Sequence, residues 1–145
     1  MGDLRGFAKS IRLRGEAVVA NTDEVVRRVA LLIDTAVVMA TPVKTGRARA
    51  NWRAGVGAAP AEEVPAPSSP GGGVQEALDQ ARSVVASYQG GSEIHITNNL
   101  PYIGRLNAGH SSQAPAGFVE LAVVRAAAAL KNAKGICGDL EMEES

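Results

Sequence analysis

Between Ala58 and Gly73 the chain carries Pro60, Pro65, Pro67 and Pro70, and the run closes on Gly71-Gly72-Gly73. Proline fixes φ and has no amide proton, and consecutive glycines lose the most backbone entropy on ordering. This composition therefore cannot sustain a helix or a central strand. A loop over residues 58–73 exceeds the usual connection and is expected to be disordered, a hairpin excursion, or an element that orders at an interface. It also divides a chain of only 145 residues, one domain's worth, so the segments before and after it have to build one core together. That core is poor in large side chains. With two Phe, one Trp and two Tyr, alanine and valine must fill most of it. Burial at ~25 cal/mol per Å² leaves such a core a thin margin over ordering entropy, which makes assembly with other subunits a plausible source of further burial.

Charge divides at nearly the same place. Residues 1–60 hold ten Lys/Arg and five Asp/Glu, residues 61–145 hold five and ten, and the zero net charge is a cancellation of +5 and −5. The simplest reading is two solvated surfaces of opposite sign; the functional one is complementary faces that meet neighbouring copies or partners. The single cysteine, Cys137, excludes an internal disulfide framework. The basic N-terminus is not followed by an apolar signal region, and the longest apolar stretch, Val29 to Ala40, is broken by Asp34 and too short to span a bilayer. The expected compartment is the cytoplasm, or a particle assembled there, with no membrane partner.

Residues 1–20 lack a clean period and read as a flexible or partner-docked arm in which Leu4, Phe7, Ile11 and Leu13 allow a short helix. A long helix is predicted after Asn21-Thr22. Thr22 is suited to capping free amides, Asp23 and Glu24 to the positive first turn, and Val25, Val29, Leu32, Ala36 and Val37 to one apolar face that Ile33 and Ala40 widen, with Pro42 ending the pattern. A turn at 43–46 leads into an extended run over 49–57. Gln75 to Tyr88 has helical spacing with a strand possible from Ser83, and Glu93-Ile94-His95-Ile96-Thr97 alternates as a half-buried strand with His95 outward. A short helix over 101–109 precedes a last helix opened by Pro115-Ala116-Gly117, with Phe118, Leu121, Ala122, Arg125 and Ala129 sharing a face. The domain is expected over 21–134, and residues 135–145 read as an acidic, solvated tail.

No catalytic constellation emerges. His95 and His110 are the only imidazoles and neither sits in a zinc-ligand pattern; Ser111 and Ser112 beside His110 do not make a triad. Gly55-Val56-Gly57 and Gly71-Gly72-Gly73 match neither the phosphate-loop nor the dinucleotide-binding spacing, and the carboxylates are scattered. No enzyme activity, metal or cofactor is expected. Lys44, Arg47, Arg49 and Arg53 form the one basic cluster, suited to an ordinary charged surface, to protein assembly or, with only Trp52 nearby to stack on bases, to nucleic acid.

The run Thr41-Pro42-Val43-Lys44-Thr45-Gly46-Arg47-Ala48-Arg49-Ala50-Asn51-Trp52 resembles the signature region of tail-completion or neck proteins of tailed bacteriophages, the HK97 gp10-like tail-component family. Residues 97–109, Thr-Asn-Asn-Leu-Pro-Tyr-Ile-Gly-Arg-Leu-Asn-Ala-Gly, and then 113–119, look like that group's turn and final-helix entrance. With the long helix before them, the resemblance spans roughly residues 20–130. It implies an α+β subunit in which a small mixed or antiparallel sheet packs against a long N-terminal helix and a C-terminal helix. Such a subunit works non-enzymatically in a homo-oligomeric ring at the head-to-tail junction of a virion, beside neck, connector or tail-tube proteins, with DNA passing through the ring.

Carried over residue by residue, the resemblance implies structural or interface roles for Lys44, Thr45, Gly46, Arg47, Arg49, Asn51, Trp52, Arg53, Asn98, Asn99, Pro101, Tyr102 and Arg105. Relatives commonly have an acidic residue where this chain has Lys44, so a salt bridge there does not transfer. The alternatives are an assembly factor that is not retained in the particle, and direct DNA contact through the Lys44–Arg53 cluster.

Overall fold

A computed structural model of the chain describes residues 9–14, 22–43, 46–69, 71–90, 92–109, 115–134 and 139–144. The fold is α+β. In chain order the elements are β1 (Lys9–Arg14), α1 (Thr22–Ala40), α2 (Arg47–Ala50), β2 (Trp52–Val56), α3 (Gly72–Val85), β3 (Ile94–Asn98), α4 (Ile103–Asn107), α5 (Phe118–Lys134) and β4 (Asp139–Glu144). The strands form one sheet in the order β2-β3-β1-β4, with every neighbouring pair antiparallel.

The register sorts residues by face. Trp52 stands opposite Asn98, Ala54 opposite Ile96 and Val56 opposite Ile94, and Trp52, Ala54, Ile94 and Ile96 are all buried. Residues alternate across a strand, so these side chains make the core face while Arg53, Gly55, His95 and Thr97 belong to the other. Over the core face lies α1, which buries Val26, Ala30, Ile33, Val37 and Val38. Of the predicted face, Val37 and the widening Ile33 are among them, Val25, Val29, Ala36 and Ala40 are partly covered and Leu32 is exposed, because apolar residues run around most of this helix. Flanking it are α3, through Ala77, Ala81 and Val85, and α5, through Phe118, Val119, Ala122, Val123 and Ala126. The alanines let helices approach closely without large side chains, which is how an aromatic-poor chain closes its core. Trp52 is fully buried, and its indole Nε1–H donates to Thr41 Oγ1 at 2.8 Å.

Several expectations require correction. Lys9–Arg14, read as part of a flexible or partner-docked arm that allows a short helix, form a strand in the interior of the sheet, and the acidic residues 139–144, read as a solvated tail, form its neighbour. Lys9 stands opposite Glu144, Arg12 opposite Glu141 and Arg14 opposite Asp139, so register places the two charge-rich ends of the sequence side by side. The extended run predicted from Arg49 begins only at Trp52, because Arg47–Ala50 make one helical turn. The loop predicted to reach Gly73 ends earlier: Gly72 and Gly73 open α3. A Cβ on Gly73 would strike the Gly46 carbonyl oxygen, so glycine serves the close approach of α2 and α3 there. The Ser83–Tyr88 stretch stays helical to Val85. On α5 the buried face is Phe118, Val119, Ala122, Val123 and Ala126; Leu121, Arg125 and Ala129, predicted to share it, are exposed. His95 lies on the face away from the core as expected, yet its side chain is largely covered, within 3.4 Å of Glu93.

Candidate functional site

The two stretches that carry the phage resemblance lie about fifty residues apart, and the fold brings them together. Asn98 Nδ2, at the end of β3, donates to the Ala48 carbonyl of α2 at 2.9 Å, while its Oδ1 accepts from the Leu100 amide and shapes the turn into α4. Tyr102 of the second stretch is half-buried near Arg47 and Glu63. Burial raises the pKa of its hydroxyl, Arg47 opposes that rise and Glu63 adds to it.

Around this junction the polar residues converge on one object, the proline-rich segment 57–69. It returns from β2 across the face of the sheet opposite the core: a Cβ on Gly55 would strike the Ala58 carbonyl oxygen and the Pro60 ring. We call it the strap. Asn51 holds it as a neighbouring strand would, Nδ2 donating to the Val64 carbonyl and Oδ1 accepting from the Val64 amide, both at 2.8 Å. Asn99 Nδ2 donates to the carbonyls of Pro60, at 2.7 Å, and Glu62. Arg47 Nε donates to the Val64 carbonyl, and its guanidinium lies 3.4 Å from Glu63. Arg53 lies between Glu62 of the strap, at 3.0 Å, and Glu76 of α3. Prolines cannot hydrogen-bond through their own nitrogens, so side-chain amides and guanidiniums bonded to strap carbonyls supply the order that a β-ladder would.

The third arginine of the basic cluster acts elsewhere. Arg49 donates from Nε to the Thr41 carbonyl at 2.8 Å and from its guanidinium to the Met39 carbonyl at 3.0 Å, satisfying carbonyls at the C-terminal end of α1 that have no helical partner. Gly46, at φ 85°, makes the left-handed turn into α2. Arg47, Arg49 and Arg53 are thus each engaged within the chain. Pro101 and Arg105 are exposed beside Tyr102 and α4. Lys44, Thr45, His110 and Cys137 lie outside the described residues.

Sequence reasoning missed three residues. Gln80 of α3 lies along the outer edge of β2, its Oε1 accepting from the Ala54 amide at 2.8 Å and its Nε2 donating to the Ala54 carbonyl at 2.9 Å. Asn107 fixes the entry of α5: Oδ1 accepts from the Val119 amide, and Nδ2 donates to Glu120 Oε1. Asp34 is buried inside α1, neither carboxylate oxygen has a hydrogen-bond partner among the described residues, and desolvation raises its pKa to about 7 against the opposing pull of Arg53. The first two positions carry no motif in the sequence. The third had a signal in its place on the apolar helix.

Among the described residues, no three His, Cys, Asp or Glu side chains gather as metal ligands would, and no helix is long and apolar enough to cross a membrane. No family model, curated protein or solved structure matches the chain.

Proposed function

We propose that the chain is a non-enzymatic structural subunit of a phage head-to-tail junction, completing or joining the tail as one member of a ring. One observation carries the reading. The two stretches that resemble the tail-completion family meet at the Asn98–Ala48 contact, and both supply the side chains that fasten the strap, Arg47 and Asn51 from the first and Asn99 from the second. Residues spent on holding a backbone segment in place suit a building block whose shape is its activity, because Arg47, Asn51 and Asn99 each bond a main-chain atom of the strap.

The virion, with neck, connector or tail-tube proteins as neighbours, is the location this reading implies. The DNA-contacting alternative draws less support, since the guanidiniums of Arg47, Arg49 and Arg53 already have acceptors within the chain. Locating the chain in imaged particles tests the proposal. A ring at one axial position between head and tail is the expected result; a chain found only on precursors makes it an assembly factor, and a chain absent from particles and precursors alike overturns the reading.

A further inference from the structure

The outer faces of α1 and α5 differ in chemistry from that of α3. On α3 the exposed positions from Gln75 to Ser83 are Gln75, Glu76, Asp79, Arg82 and Ser83, all polar, as a solvated helix requires. Between Val29 and Ala40, α1 exposes Leu32 at 42%, Thr35 and Met39 at 53%. From Leu121 to Ala129, α5 exposes Leu121 at 38%, Val124 at 61%, Arg125 and two alanines. An open groove of about 500 Å³ lies between the two helices, lined by Ala36, Met39, Phe118, Leu121, Ala122 and Arg125 among others. Arg125 has no ion-pair partner among the described residues. A groove that gathers exposed apolar side chains beside one cation marks an interaction site.

Across the sheet the chain presents matching chemistry. The strap exposes Ala58, Ala59, Ala61, Pro65 and Ala66 together with the half-exposed carboxylates of Glu62 and Glu63. Each carboxylate meets its own arginine through one oxygen, which leaves acceptor capacity on the other. The strap is already held in shape by Asn51, Asn99 and Arg47, so docking it costs little ordering entropy, the advantage by which preformed proline-rich segments bind apolar grooves.

We infer that the α1–α5 groove is the docking site for the strap of a second copy of this chain, with Glu62 or Glu63 of that copy reaching Arg125. Groove and strap lie on opposite sides of the sheet, so the contact is heterologous: each copy gives its strap to one neighbour and receives the strap of another, and the series closes where the rotation allows. Zero net charge on the chain sets no long-range repulsion against it. The inference rests on the ring-subunit reading and specifies which surfaces meet.

Sedimentation velocity on the full chain tests it with two single-face variants, Leu121→Glu in the groove and Ala61→Arg on the strap; circular dichroism and the thermal midpoint report whether each still folds. Wild type should assemble beyond a dimer, and each variant alone should lose every species above monomer. An equimolar mixture should form heterodimers and stop there, because one intact groove and one intact strap remain. Arg125→Glu should weaken assembly by roughly two- to fivefold, the range of an exposed ion pair. Should either variant fail to fold, Met39→Lys and Ala59→Arg replace them. Assembly that survives both variants overturns this contact and leaves the ring reading standing; a mixture without heterodimers also overturns this contact and indicates like faces meeting about a two-fold axis. A monomeric wild type overturns the contact as well, and particle imaging then decides the neck reading separately.

Discussion

At the scale of single residues, the carboxyl of Asp34 stands apart from the buried polar groups that build. Thr41, Asn51, Asn98 and Asn107 each end on a partner, whereas the two carboxylate oxygens of Asp34 have none among the described residues. A folded-state pKa of about 7 against 3.8 means that the native chain holds the proton more tightly than the unfolded one. The stabilisation from this proton is complete below about pH 4 and is lost as pH rises through 7, at ~1.4 kcal/mol for each pKa unit of difference. Asp34→Asn should therefore flatten the fall in thermal midpoint between pH 5 and pH 8, and should exceed wild type in stability at the alkaline end; calorimetry across that range checks both. Gly73 makes an opposite point about helix propensity. Gly→Ala inside a helix ordinarily gains ~1 kcal/mol, but here the new Cβ meets the Gly46 carbonyl oxygen, so Gly73→Ala should lose roughly 1–3 kcal/mol in denaturant unfolding.

At the scale of elements, the strap is the least regular part of the chain and among the most heavily tied. Asn51→Ala removes both bonds to Val64, and the expected loss is about 1–3 kcal/mol together with faster proteolytic cleavage within 57–69, read by limited proteolysis against wild type. What was legible in the sequence followed from period and punctuation. The stop of α1 at Pro42, the alternation around Ile94 and Ile96, and the prolines that rule out regular structure over the strap are all local signals, whereas the apolar face of α1 was misplaced in part because apolar residues run around most of that helix. What was not legible is non-local. That Asn51, Asn99 and Arg47 would face one strap, or that Gln80 would lie along the edge of β2, depends on contacts between residues 13 to 39 positions apart, for which no spacing rule exists. The motif residues were identified from resemblance, but their partners were not, and Leu121 was placed on the wrong face of α5 because two apolar stripes run along that helix.

At the scale of the whole molecule, the +5 and −5 halves of the sequence meet inside the fold: Arg47 and Arg53 of the first pair with Glu63, Glu62 and Glu76 of the second, and β1 lies in register against β4. Opposed charge read as a surface for neighbours is first of all a means of folding one chain. Removal of residues 139–144 should speed hydrogen exchange of the β1 amides, while those of β3 bonded to β2 keep their protection; mass-resolved exchange separates the two strands. The strand order also carries a consequence for synthesis. β1 leaves the ribosome early, yet both strands that flank it are made much later, β3 from Ile94 and β4 from Asp139. Through most of translation β1 is an unpaired segment in search of a partner, so the nascent chain is exposed to mispairing until its distant end has been delivered.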